Sequence, residues 1–347
     1  MKKTVAPQDR VRSAWGIAII VAATIVSLSL VDSAAAQEGV TRGGSTAETT
    51  PRSTRLRLGT WNIRWFPRGC ANPLQCPDKK TDLMMLSKRI AELDLDLVAV
   101  QEILYAEDGR QAMEELLARL DSLTSGNWQV NMQECGPPQS QRVGLLWNAK
   151  RVRLTNFTDM EQLNGGIDEG GGACAANLRP GRYAYATAVD GSIDFHAITV
   201  HFDSGRRDRD YNNRRDAAGE IPRLRLGDTP ITEVDEDVVI FGDFNTMGKS
   251  DPTEITAEKE FEIFDKQIGP FFRRLAVQPF CSEYYRGRSG VLDFFVVSES
   301  LASAGKTARV KGFCAEAACS ELDEENMPEE YTRISDHCPV ILEMGDK

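Results

Sequence analysis

Polar residues close one apolar stretch after another along this 347-residue chain. Asn62 follows Trp61, Gln101-Glu102 ends DLVAVQE, His201 ends a run that begins near residue 193, and Gly242-Asp243-Phe244-Asn245 follows VVIF. Asp293 lies within LDFFVVS, and Ser335-Asp336-His337 precedes Cys338-Pro339 and a last apolar run. Side chains at strand ends converge where layered α/β sheets keep their ligand clefts, so these residues can form one site. The set gathers carboxylates, carboxamides and imidazoles, the side chains that bind ions and move protons. On a chain of net charge −11, a phosphate substrate requires a metal to supply the positive charge. Gly242 lets the backbone turn tightly, and Asp243 and Asn245 project to one side if the chain there stays extended. Singly, each residue has a plain structural reading. Asn62 suits a turn, Glu102 and Asp293 suit a helix cap or an Arg partner, and residues 243–245 suit an Asx turn. The repeated strand-end placement is what argues for a site. A Ser-His-Asp hydrolase does not fit, because Ser335, Asp336 and His337 are consecutive and no G-x-S-x-G occurs.

The elements that would hold these tips alternate. A strand over residues 56–61 precedes Leu83, Leu86, Ile90 and Leu93 at helical spacing, and residues 96–102 read as a strand buried on both faces. Met113, Leu116, Leu117, Leu120 and Leu123 form the stripe of a second helix. Further strands are expected over residues 129–132, 143–147, 183–189, 193–201, 238–241, 292–297 and 339–342, so strands outnumber helices in one domain spanning 55–347. His196 has the opposite side-chain parity to His201 on its strand and reads as structural. Residues 164–172 form a Gly-rich loop, and residues 204–215, with five Arg, read as a solvated helix face before a phosphate-contacting loop.

In their order these residues resemble the endonuclease/exonuclease/phosphatase superfamily with the deoxyribonuclease I-like fold. Its members present an Asn after the first strand, a QE pair, a His closing a middle strand, GD-x-N, an Asp in a late apolar strand and a terminal SDH. Here these are Asn62, Gln101-Glu102, His201, Gly242 to Asn245, Asp293 and Ser335-Asp336-His337, and the resemblance spans residues 55–345. It implies an α/β fold, a four-layer sandwich of two packed mixed β-sheets flanked by helices, and a metal-dependent phosphoesterase. It implies Glu102 as the principal ligand of Mg²⁺ or Mn²⁺, Asn62 and Asp336 completing or supporting the shell, and Ca²⁺ as a supporting ion. Asp243 and Asn245 would orient or deprotonate the attacking water. An ordinary Asp, with a pKa of about 3.9, is a feeble base at neutral pH, so positioning is the larger part expected of it. His201 and His337 would flank the phosphate, with Asp293 holding His337. Two positions depart from the pattern: Gln141 stands where the nuclease branch has a Glu that orients His201, and Asp203 stands where many members have a Lys. Arg142 is the candidate substrate contact, with Arg206, Arg207, Arg209, Arg214 and Arg215 around the cleft.

The metal centre does not choose the substrate. A secreted nuclease for DNA or RNA is the first expectation, a phosphodiesterase or phosphatase for a lipid or small phosphoester the second, and a catalytically inactive binding protein of this fold the third. No stable protein partner and a monomeric state are expected. A composition of 41% hydrophobic and 27% charged residues excludes disorder throughout, and a net charge of −11 excludes a generic basic protein that coats nucleic acid.

Residues 1–36 have the layout of a signal peptide: four basic residues, an uncharged apolar run over 14–31, and Ala34-Ala35-Ala36. Cleavage there would take away four basic and two acidic residues and leave −13, with residues 37–54 as a flexible linker. Secretion or a periplasmic location follows, an uncleaved membrane anchor being the alternative. The eight Cys then read as disulfides. Cys70–Cys76 and Cys314–Cys319 close short polar loops, and Cys135–Cys174 and Cys281–Cys338 are the remaining pairs. Zinc is disfavoured because no CxxC occurs and the three His lack paired ligand spacing.

Overall fold

The computed structural model describes residues 55–345 apart from 73, 75, 77–78, 105, 135, 137–139, 165–178, 226–234 and 303–305. The expected signal segment, the linker, most of the Gly-rich loop and the Cys135–Cys174 pair lie outside the described residues. The strands are β1 (Leu56–Phe66), β2 (Leu97–Leu104), β3 (Trp128–Met132), β4 (Gln141–Asn148) and β5 (Val152–Met160). Then come β6 (Gly181–Ala188), β7 (Asp194–His201), β8 (Val238–Asp243), β9 (Phe272–Arg274) and β10 (Val277–Gln278). The last are β11 (Glu283–Tyr285), β12 (Arg288–Gly290), β13 (Asp293–Ser298), β14 (Ala308–Val310) and β15 (Val340–Met344). One sheet has the order β10-β14-β15-β1-β2-β4-β3, the other β5-β6-β7-β8-β13-β9, and β11-β12 is a separate hairpin. Both sheets are mixed, β1 running parallel to β2 and β7 parallel to β8 among antiparallel neighbours.

The four main helices are α1 (Leu83–Glu92), α2 (Glu107–Thr124), α3 (Asp208–Glu220) and α4 (Ala257–Ile268). Asp82 caps α1 by accepting from the Met85 amide at 2.9 Å, and Thr256 caps α4 in the same way. On α2 the buried stripe is Met113, Leu116 and Leu120, whereas Leu123 is half exposed, so the expected stripe is narrower than its apolar residues. One apolar cluster joins Leu58, Leu97 and Leu145 of the first sheet to Tyr183, Ile198 and Val239 of the second and reaches α3 and α4 at Ala217 and Phe264. The other packs Val98 and Leu146 against Leu86, Ile90 and Leu116. This is the expected helix-flanked sandwich of two sheets, and burial on both faces explains why β2 and β4 carry almost no alternation.

The cysteines correct one expectation. Cys70 and Cys76 are bridged, but the other described bridges are Cys281–Cys319 and Cys314–Cys338, not Cys314–Cys319 and Cys281–Cys338. Cys314 starts a helical turn whose inner face meets the chain entering β15, and Cys338 lies 6.1 Å away Cα to Cα. Cys319, three residues past that turn, lies 5.6 Å from Cys281 Cα to Cα. Both separations suit a bridge, so through-space geometry overrides closeness along the chain. No helix among the described residues is long and apolar enough to cross a membrane.

Candidate active site

Register brings the strand tips to one end of the sandwich. Asn62 pairs with Gln101 across β1 and β2, His201 with Asp243 across β7 and β8, and Asp243 with Asp293 across β8 and β13. Gly242 permits the β7–β8 pairing, because a Cβ there would strike the backbone of Val200. The 335–337 loop is tied to β1 by two bonds: Ser335 Oγ donates to the Asn62 carbonyl at 2.7 Å, and Trp61 Nε1 to the His337 carbonyl at 3.0 Å. Gln101 lies beneath the cleft, where its amide donates to Thr60 and Thr199 and links the two sheets. Four non-glycine residues here have positive φ: Arg64 (29°), Trp65 (49°), Glu102 (62°) and Asn245 (53°). Such backbone is costly and persists where surrounding structure holds it, commonly at functional sites.

Asn62 is the hub. Its Nδ2 donates to Glu102 Oε1 at 3.2 Å and to Asp243 Oδ2 at 3.0 Å, and its Oδ1 accepts from the Arg64 amide at 3.0 Å. The backbone donor on Oδ1 fixes which way the amide points, so Asn62 presents N–H to the carboxylates. This placement suits a residue that supports a cation shell better than one that enters it. Glu102 also accepts from the Trp65 amide at 3.0 Å. Burial raises the Glu102 carboxyl above its ordinary range, and the charge of Asp336 raises it further. Glu102, on β2, and Asp336, in the 335–337 loop, thus feel each other's charge, and their oxygen donors suit a hard divalent cation. A second acidic group, Asp243, Asp293 and His337, has potential ligand atoms within 4.8 Å of one another. There His337 Nδ1 and Asp293 Oδ2 lie 2.8 Å apart and hold each other.

Asp243 is buried, with Oδ2 3.5 Å from His201 Nε2 and 4.0 Å from His337 Nε2. Burial, and then the charge of Asp293, push its pKa up to about 6. An aspartate so raised is a more capable base than the ordinary carboxylate expected from sequence. Asn245 does not continue an extended strand: its amide donates to Asp243 Oδ1 at 2.9 Å, its positive φ turns the chain, and its Nδ2 donates to the Phe202 carbonyl at 3.0 Å.

The two imidazoles differ. Burial alone would discharge His337, yet Asp293, Asp243 and Asp336 hold its pKa well above the ordinary value, so it is an imidazolium at neutral pH. His201 is lowered well below by burial, then by Arg179 and His337, and is uncharged. Gln141 does not orient it: Gln141 Oε1 accepts from Arg179 Nη1 at 3.1 Å, and His201 Nδ1 has no hydrogen-bond partner among the described residues. His196 bonds Tyr183 Oη at 3.0 Å and sits against Tyr183 and Tyr185, a structural setting.

Arg142, the expected substrate contact, is engaged within the protein. It is buried and donates to the carbonyls of Gln133, Glu134 and Gly136, so its guanidinium clamps its own hairpin. The five Arg of residues 204–215 all have acidic neighbours, Arg214 being buried against Glu260 at 2.8 Å and Arg207 lying 2.8 Å from Asp210. Free positive charge there is smaller than the Arg count.

Sequence reasoning missed three residues. Ser282, fully buried, donates to Asp293 Oδ2 at 2.9 Å while accepting from the Leu292 and Asp293 amides. Glu283 bridges to His337, and the bonds from Tyr284 to Asp336 and from Cys338 to Ser282 make the two a non-hydrogen-bonded pair with adjacent side chains. Burial pushes the Glu283 carboxyl up to about 8 against the opposing pull of His337. Arg179 is the third. None of the three lies at the tip of a legible strand, and only tertiary pairing marks them.

Residues 59–337 match the family model described as the Endonuclease/Exonuclease/phosphatase family. No curated protein matches in sequence. Among solved structures, an endonuclease/exonuclease/phosphatase from Bacteroides vulgatus aligns with a TM-score of 0.55 and 16% identity over 85% of this chain and 100% of its own. A family protein from Leptotrichia buccalis gives 0.54 and 12% over 83% and 98%. D. rerio TDP2, solved with a single-strand DNA product, gives 0.51 and 14% over 84% and 99%. At these identities the likeness is one of fold.

Proposed function

Because the chain belongs to the Endonuclease/Exonuclease/phosphatase family, we propose that it is an exported phosphodiester hydrolase that uses Mg²⁺ or Mn²⁺ and cleaves DNA or RNA. One observation carries the reading: Asn62 ties Glu102 to Asp243, which lies 3.5 Å and 4.0 Å from the two imidazoles. Glu102 and Asp336 would hold the cation, with Asn62 supporting them. A bound divalent ion supplies positive charge to the phosphate. Asp243, ionised at neutral pH and held by Asn62, takes a proton from water as the water oxygen attacks phosphorus and the ester P–O bond breaks, and the departing oxygen takes its proton from solvent. His337, fixed by Asp293, stabilises the charge that grows on the phosphoryl oxygens. Uncharged His201 orients by hydrogen bonding and does not act as an acid. Export is supported by the layout of residues 1–36 and by three disulfides among the described residues.

Nucleic acid is favoured by the fold likeness to a structure that holds a DNA product. A second reading, a lipid or small phosphoester, is favoured by the engagement of Arg142 with its own hairpin and by the net charge of −11. The test is a panel of linear plasmid, RNA, phospholipid and bis-nitrophenyl phosphate with Mg²⁺, Mn²⁺ or EDTA. Strand scission that EDTA abolishes is expected. Cleavage of the small or lipid esters alone selects the second reading, and no hydrolysis under any cation ends both.

A further inference from the structure

A catalytic histidine is ordinarily oriented by an acceptor on the ring nitrogen turned away from the substrate. His337 has Asp293 in that place, whereas the ring of His201, only 3% exposed, has no hydrogen-bond partner on Nδ1 among the described residues. Its backbone is what is held. Arg179, 8% exposed, donates from Nε to the His201 carbonyl at 3.3 Å and from Nη2 to the Phe202 carbonyl at 3.2 Å. Its Nη1 donates to Gln141 Oε1 at 3.1 Å. The Phe202 carbonyl also accepts from Asn245 Nδ2 at 3.0 Å. One guanidinium thus joins the end of β7 to the first residue of β4, which belongs to the other sheet, and shares an acceptor with Asn245 in the turn after β8.

We propose that Arg179 is a positioning residue which, by tying the backbone at the end of β7 to the Gln141 side chain of the other sheet, sets His201 and Asn245 against Asp243. The planar fork of an arginine can serve three acceptors in different directions, and a lysine ammonium on a flexible stem cannot hold the same set. Pro180, with its restricted φ, follows directly and stiffens the entry to β6. The positive charge contributes as well, since Arg179 is one of the groups that keep the His201 ring neutral. The kinetic part of this proposal rests on the phosphodiesterase reading; the structural part does not.

The chain contains three histidines, so ring-nitrogen NMR of ¹⁵N-histidine-labelled protein can follow each one. Arg179→Met is expected to move the His201 signals and leave those of His196 in place. On a substrate that the unaltered chain cleaves, kcat should fall by about tenfold or more with KM little changed, as expected when a reacting group is misplaced. Guanidinium ion added to Arg179→Ala should restore part of kcat where methylammonium does not. Unmoved His201 signals with retained kcat in folded Arg179→Met overturn the proposal, as does a folded Arg179→Ala that guanidinium fails to rescue. Should circular dichroism show both variants unfolded, Arg179→Lys decides in the same way, moved His201 signals and lowered kcat supporting the clamp and unaltered ones refuting it. A chain that cleaves no phosphoester removes the proposed activity, while the His201 signals still decide the role of Arg179.

Discussion

Glu283→Gln should make the protein more stable, and the gain should grow with pH. The carboxyl of Glu283 is 9% exposed, and burial pushes it up to about 8 from an ordinary value of 4.5. A raised acid binds its proton more tightly in the folded state than in the unfolded state, so stability is lost as pH rises from the unfolded value to the folded one. Nothing is lost below about pH 4, and the loss is complete above about pH 8. At pH 7, some 2.5 pH units above the ordinary value, about 1.4 kcal/mol per unit gives a ceiling of about 3 kcal/mol. Glutamine has nearly the same shape and no charge to desolvate, so the variant escapes that loss. For a domain of this size that ceiling corresponds to a melting temperature higher by at most about 6 °C. Thermal and urea unfolding of both proteins at pH 4.5, 7 and 8.5, with EDTA present, measure it. Equal stability at all three pH values, or a variant less stable at pH 8.5, would refute the electrostatic reasoning about this side of the cleft.

Asp243→Asn should lower turnover by about a hundredfold or more while leaving the fold intact, as removal of a general base does. In the unaltered protein the rate should climb as pH passes about 6, where Asp243 ionises, and a profile flat from pH 5 to 7 would show that another group does this work. Glu102→Gln should raise the Mn²⁺ concentration needed for half-maximal binding by calorimetry, an outcome that an unaltered isotherm contradicts. Gly242→Ala forces a methyl into the backbone of Val200 and should loosen the β7–β8 pairing, lowering both stability and activity. Unchanged melting of that variant would mean the strands part more easily than their register suggests.

Much of the site was legible because its residues sit where a strand stops being apolar. Glu102 after DLVAVQ and Asp243 after VVIFG mark the end of buried strands by composition alone, and parallel pairing of β1 with β2 and of β7 with β8 sends those ends the same way. Helices α1 and α2 were legible from Leu86, Ile90, Met113 and Leu116. Strand β5 was not, because Arg153, Thr155 and Asn156 give an edge strand the polarity of a loop, and α3, rich in Arg and Asp, shows little periodic apolar signal.

The order of chemical groups and the period of the helices are properties of neighbouring residues, so sequence by itself determined them. Partnership, burial and charge depend on distances between segments far apart along the chain, and only the tertiary structure decided those. Cys314 meets Cys338 and not the nearer Cys319, Arg142 turns to its own hairpin, and Arg179 takes Gln141 away from His201. Asp243 becomes a usable base because folding strips it of water beside Asp293, fifty residues on.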